Sequence, residues 1–158
     1  MIRQAHRTES EILTALSFAS KRYWKYPEKY LQIWEQELTI TPEYIDTNSV
    51  FAYILNQNVV AYYSIIFLKD DMKIAAATIS KGYWLEHMFI APEQIGTGIG
   101  STLFTHLRKW CKQHSIKKLS ALVDPNAAGF YSKMGCVYQK EIPSTIPERT
   151  TPLYTLAF

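Results

Sequence analysis

The chain has 158 residues, 47% of them hydrophobic and 20% charged, a length and balance that suit one soluble globular domain, expected over residues 1–158, and exclude fibrous and disordered classes. Its net charge of +3 comes from scattered Lys and Arg, with no basic block and no basic helix face interleaved with stacking aromatics, so nucleic acid is not an expected partner. No run reaches the about 18 apolar residues of a spanning helix, the N-terminal Met1-Ile2-Arg3-Gln4-Ala5-His6 has no signal-type apolar core, and Cys111 and Cys136 form no CxxC pair; a reducing cytoplasm without a membrane partner is expected.

A strand is expected from Ile2 to His6. Thr8-Glu9-Ser10-Glu11 has the spacing of a capping box and should start a helix that carries Ile12, Leu13, Leu16 and Ala19 on one side and ends near Trp24. Pro27 opens a second helical run with Tyr30, Leu31, Trp34 and Leu38 at helical spacing, and Thr41-Pro42-Glu43 starts a short third turn. Val50 to Leu55 and Val59 to Leu68, rich in β-branched and aromatic residues and joined by Asn56-Gln57-Asn58, read as an antiparallel hairpin. Residues 73–80 are ambiguous, because Ala75-Ala76-Ala77 favours helix while the flanking Ile and Thr favour strand. Tyr83 to Ile90 is a strand, followed by a glycine-rich turn and a helix from about Gly98 to His114 that buries Leu103, Phe104, Leu107, Trp110 and Cys111. A strand near Leu119 to Val123 follows. Asp124-Pro125-Asn126 breaks it and caps a helix from Ala127 to Met134, which Gly135 ends. Strands near Val137 to Ile142 and Leu153 to Ala157 close a mixed α/β layer fold.

The stretch Ile95-Gly96-Thr97-Gly98-Ile99-Gly100-Ser101 carries the clearest chemistry. Glycines spaced by two let backbone approach a phosphate closely, and the N–H groups and positive dipole end of the following helix favour an anion. Three readings compete. A P-loop needs Lys-Ser/Thr after its last glycine, where Ser101-Thr102 stands. A dinucleotide fingerprint sits on the first strand and has its third glycine one residue later. A tight strand-to-helix connection without a ligand needs nothing more.

About thirty residues on comes Asn126-Ala127-Ala128-Gly129-Phe130-Tyr131-Ser132-Lys133-Met134-Gly135. The glycine turn followed by this segment resembles the GNAT superfamily of N-acetyltransferases, and the order of helices, hairpin, turn and closing strands matches that family's plan over most of the chain. The resemblance implies a GNAT-like fold with a central mixed, mostly antiparallel sheet splayed between two parallel strands, helices on both faces, and the pantetheine arm of acetyl-CoA, the co-substrate, in the gap; no metal is implied. By position, the backbone of Met88, Phe89 and Ile90 would bond the pantetheine and polarise the thioester, and Ile95, Gly96, Thr97, Gly98, Ile99, Gly100 and Ser101 would form the pyrophosphate cradle. Asn126, Phe130, Tyr131 and Lys133 would complete the cofactor site. Ile95 departs from the family's usual Gln or Arg, which removes one side-chain contribution to the cradle and leaves the main-chain one.

The implied reaction sets the remaining roles. A neutral amine must attack the thioester, and an alkylammonium with a pKa of about 10 has no lone pair, so a base is needed. Glu86 and His87 are the candidates, on opposite faces of one strand by alternation. Tyr131 would return a proton to the departing thiolate. Cys111 and Cys136 sit where inert buried thiols usually do, so direct transfer is expected. Trp24 and Tyr26, near a helix end, are the candidates for the acceptor wall, the acceptor being a small amine or a protein amine. A non-catalytic acyl-CoA-binding module is the alternative, and the chain is compatible with a homodimer.

Overall fold

The computed structural model describes residues 1–74 and 76–158. Strand β1 (Ile2–Gln4) leads through a 3-10 turn (Arg7–Glu9) into α1 (Ser10–Tyr23), followed by α2 (Glu28–Ile33), α3 (Glu35–Leu38) and α4 (Pro42–Thr47). Strands β2 (Ser49–Leu55), β3 (Asn58–Leu68), β4 (Met72–Ile74), β5 (Ala77–Ile79) and β6 (Gly82–Ile90) precede α5 (Ile99–Gln113), β7 (Lys118–Leu122), α6 (Ala128–Lys133), β8 (Val137–Pro143) and β9 (Thr150–Ala157). The main sheet has seven strands in the order β1-β2-β3-β6-β7-β9-β8. The β1–β2, β2–β3, β7–β9 and β8–β9 pairs are antiparallel, whereas β6 and β7 are parallel through Tyr83↔Leu119 and Trp84↔Ser120.

Two compact units divide the chain, which passes between them within β3, β6 and α5: Met1–Ile65 with His87–His106, and Ile66–Glu86 with Leu107–Phe158. In the first, Leu13 and Leu16 of α1, Ile40, Ile45 of α4, Val50, Tyr62 and Ala91 form a core on which Phe89 packs. Two hydrogen bonds tie the end of β6 into this unit. The Ala91 N–H donates to the Val60 carbonyl at 2.8 Å, and Ser20 Oγ of α1 donates to the Ile90 carbonyl at 3.2 Å. In the second unit, Ala77, Ile79, Trp84 and Ile142 form a core with Ile66, Leu68 and Leu153 against it.

Three local expectations are corrected and one open reading is decided. The helix start has its capping frame at His6 and Glu9, because Glu9 accepts both the His6 N–H at 2.8 Å and the Arg3 guanidinium at 2.7 Å, the latter delivered by β1. The run after Pro27 divides at Trp34 into α2 and α3, although the bonds Trp34 N–H to Tyr30 carbonyl and Leu38 N–H to Trp34 carbonyl, both 2.9 Å, carry the helical pattern across the break. Trp110 is half-buried and stacks on His114 with ring centroids 4.0 Å apart, while Leu103, Phe104, Leu107 and Cys111 are buried as expected. Residues 73–80 resolve as the hairpin of β4 and β5, paired Met72↔Ile79 to Ile74↔Ala77 and tethered by the Lys81 N–H to Asp71 Oδ1 at 2.8 Å; Ala75 lies outside the described residues.

The β2–β3 loop has only two residues, Asn56 and Gln57, at φ +48° and +67°. Such loops match the twist of a hairpin but need left-handed backbone at both positions, which Asn tolerates and Gln does not favour. Gln57→Gly should therefore stabilise the protein by about 0.5–1 kcal/mol. A higher urea midpoint at unchanged slope would bear this out, and an equal or lower midpoint would refute it.

Candidate functional site

The turn before α5 begins with a 3-10 turn (Pro92–Gln94) and continues through Gly96 at φ +84° and Gly98 at φ +92°, conformations that side chains with a Cβ rarely adopt. A Cβ built at either glycine meets no atom of the described residues within 4 Å, so the space beside these two positions is open. Thr97 closes the turn onto Gln94, its hydroxyl donating to the Gln94 carbonyl at 2.7 Å. The first bond of α5 runs from the Thr102 N–H to the Gly98 carbonyl at 3.1 Å. The N–H groups of Ile99, Gly100 and Ser101 precede that bond, and helical geometry gives them no partner in their own ladder. They point where an anion is best held, at the positive end of a 15-residue helix. Ile95 is half-buried beside the turn.

On β6 the two candidate bases separate by burial. Glu86 is exposed and His87 is buried. The His87 ring stacks on Phe89, two residues along the same strand, with centroids 5.6 Å apart, and lies 5.9 Å from Tyr44 and 6.2 Å from Tyr62. Ser17 and Tyr62 share a hydrogen bond of 2.6 Å, and Tyr44 and Ser64 one of 2.8 Å, which fixes these walls. Burial, with the Lys21 charge as a lesser cause, pushes the His87 imidazolium down to about 4. The ring is thus neutral near pH 7. Met88, Phe89 and Ile90, the last three residues of the strand, are half-buried.

Of the proposed acceptor wall, Trp24 is 36% exposed and meets Tyr23 edge-on at 4.8 Å. Tyr26 belongs to a separate group with Tyr30 and Trp34, above which Lys21 Nζ lies 4.8 Å from the Trp34 ring and 5.6 Å from that of Tyr26. Lys21 and Tyr44 were not foreseen near His87, because each arrives from a different helix and neither stands in a motif.

The second hallmark segment lies in the other unit. Asp124 Oδ1 accepts the Asn126 N–H at 2.9 Å and the Asn126 side-chain amide at 3.0 Å, fixing an exposed Asn at the entry to α6. Tyr131, 8% exposed, meets Phe130 edge-on at 5.5 Å. Its phenol is pushed up mainly by burial and further by neighbouring Cys136 and Asp124, so it keeps its proton. Lys133 is exposed. Burial also pushes the Cys111 thiol up to about 12 and that of Cys136 to about 11, so both remain protonated, poor nucleophiles. No group of three or more His, Cys, Asp or Glu able to hold a metal occurs among the described residues, and no described helix is long and apolar enough to cross a membrane.

The strand, the positive-φ glycine turn and the helix with an open N-terminal turn belong to a mixed α/β fold with a seven-stranded sheet, and the turn is suited to an anion. The model of the acetyltransferase (GNAT) family matches residues 13–136, and the chain belongs to that family. Membership implies acyl transfer from acetyl-CoA. No curated protein matches the chain. Among solved structures, it is similar to a GCN5-related N-acetyltransferase from Rhodopseudomonas palustris, with TM-score 0.75, 16% identity and coverage of 100% of this chain and 95% of that one. PaiA N-acetyltransferase from Thermoplasma acidophilum, in complex with coenzyme A, gives 0.75, 15%, 100% and 98%. A GNAT acetyltransferase from Brucella melitensis, in complex with acetyl-CoA, gives 0.62, 16%, 100% and 87%. At these identities the likeness concerns the fold.

Burial of His87 has a consequence for stability. The unfolded chain takes up a proton near 6.5 and the folded one only near 4, so between these values the unfolded state binds more protons. The His87 contribution is complete above about pH 6.5 and falls away toward pH 4, by up to about 3 kcal/mol. In His87→Gln the loss of stability between about pH 6.5 and pH 4.5, measured by urea unfolding, should be smaller than in the parent. Equal losses would show that His87 does not drive it.

Proposed function

We propose that residues 1–158 form one acetyltransferase domain that moves the acetyl group of acetyl-CoA to a primary amine of a small molecule or protein by direct attack. The observation that carries this reading is the open glycine turn at the start of α5, whose backbone is set for a pyrophosphate. Gly96 to Ser101, beside Ile95, hold the pyrophosphate through main-chain N–H groups, and the backbone of Met88, Phe89 and Ile90 bonds the pantetheine and polarises the thioester carbonyl. Asn126, Phe130 and Lys133 serve the cofactor arm. Trp24 and Tyr26 form part of the acceptor wall. Two free, protonated thiols fit a reducing cytoplasm and a mechanism without an acyl-enzyme.

In the reaction, the lone pair of the amine forms the new C–N bond, the thioester C–S bond breaks and its electrons leave on sulfur. Glu86, exposed on β6, relays the amine proton to solvent. Tyr131 keeps its proton until the thiolate departs and then supplies it. The neutral imidazole of His87, on the other face of the strand, is the second candidate for the relay, supported by its unprotonated state near pH 7.

Acetyl-CoA or CoA at about 100-fold excess over Kd should raise Tm by about 5–10 °C, and NAD should not. Gly98→Val should remove that shift, because a β-branched side chain resists φ +92° and occupies the phosphate approach. A shift unchanged by the substitution would move the cradle elsewhere.

Turnover tests the chemistry with a panel of amines and release of free thiol as the readout. Tyr131→Phe should keep the cofactor-induced shift and slow transfer about ten- to a thousand-fold. Glu86→Gln should slow it about a hundred-fold near pH 7, with part recovered at higher pH, where more amine is deprotonated in solution. The same pattern in His87→Gln instead would transfer the relay to histidine. A cofactor shift with no transfer to any amine would favour an acyl-CoA-binding module.

A further inference from the structure

Helix α6 has six residues, too few to be stable on its own propensity, yet it carries Tyr131. Its C-terminal end is built with care. Gly135 at φ +92° lets the Gly135 N–H reach the Ser132 carbonyl and the Cys136 N–H reach the Tyr131 carbonyl, both at 3.0 Å, the paired bonds of a Schellman cap. The Met134 carbonyl, left over by that cap, accepts from Arg108 Nη2 of α5. A Cβ placed at Gly135 would stand 2.8 Å from the same Nη2, so the glycine is needed both for the left-handed turn and for the approach of the guanidinium. Arg108 thus puts a cation and a donor at the negative end of the helix dipole, one turn from Tyr131.

We infer that Arg108 is a positioning residue, which clamps the C-terminal end of α6 through the Met134 carbonyl beside Gly135 and so fixes Tyr131 for its proton transfer. The catalytic part of this rests on the general-acid reading above, and the clamp itself does not. A guanidinium is suited to the task because it stays charged and offers several donors in a rigid plane.

The test is Arg108→Met, with Arg108→Lys and Gly135→Ala beside it in case the first fails to fold. Hydrogen exchange at the Gly135 and Cys136 amides should quicken about ten-fold or more in Arg108→Met relative to the parent, and less in Arg108→Lys. Gly135→Ala, which displaces the guanidinium, should quicken the Cys136 amide in the same way. Unchanged exchange in these variants overturns the clamp, whatever turnover does. The acetyl-CoA-induced Tm shift should persist while kcat falls about ten-fold, and Arg108→Lys should recover part of it. In a Tyr131→Phe background, Arg108→Met should cost nothing further in kcat, because the group it positions is gone. An equal loss in both backgrounds overturns the link to Tyr131. If Tyr131→Phe alone leaves kcat unchanged while exchange quickens, the general-acid reading falls and the clamp stands.

Discussion

Two backbone angles set the direction of the candidate cofactor site. At Gly96 and Gly98 the chain runs through positive φ, and this reversal delivers the end of β6 into the first turn of α5 with three N–H groups free of the helical ladder. Any side chain at these positions would meet backbone strain before it met a neighbour, since the space above them is open. A nonpolar side chain at Ile95 is compatible with the proposed cradle for the same reason: the partners proposed for the anion are main-chain groups, whose aim depends on the turn rather than on residue type.

The turn keeps its aim because the end of β6, from His87 to Ile90, is held from both sides within the first unit. Ser20 donates to the Ile90 carbonyl and the Ala91 N–H donates to Val60. Phe89 packs on the core around Leu13 and Tyr62, and His87 stacks on Phe89. Burial that steadies the strand also fixes the protonation of its histidine. The cost of charging an imidazole among Tyr44, Tyr62 and Phe89 keeps it neutral, so stability toward acid and the chemical state of the strand have one cause.

Where the sequence could be read directly, a residue carried its own conformational signal. Gly96, Gly98 and Gly135 marked positive φ, Thr41 marked the start of α4 by accepting the Tyr44 N–H at 3.0 Å, and Asp124-Pro125-Asn126 marked the break before α6. Strand alternation put Glu86 and His87 on opposite faces, and the structure leaves Glu86 exposed and buries His87. Where the signal depended on a partner outside the local pattern, the reading was wrong or stayed open. Glu9 caps the helix entry because β1 brings Arg3 to it, and no local spacing contains that information. The alanines before Ile79 favour helix locally, yet pairing with Met72 and the Asp71 tether decide for a hairpin. The Lys21 charge acting on His87 and the Arg108 contact at Met134 are likewise tertiary, and neither has a motif.

The titratable groups buried in the two hallmark segments and their neighbours are all held in uncharged forms: His87 without its proton, Tyr131, Cys111 and Cys136 with theirs. An uncharged set suits a reaction whose reactants, a neutral amine and a thioester, are themselves uncharged and whose charges appear only as bonds form and break. Charge that develops on the carbonyl oxygen then meets fixed N–H dipoles instead of mobile counter-charges. In the proposed reaction sulfur departs as an anion, and the Tyr131 phenol, kept protonated by burial, would hold a proton for it. Thiols pushed up to about 11 and 12 are poor nucleophiles at neutral pH, which fits the proposed direct attack by an amine. Burial is therefore consistent with the proposed direct transfer on two counts, since it keeps both thiols protonated and leaves Tyr131 its proton.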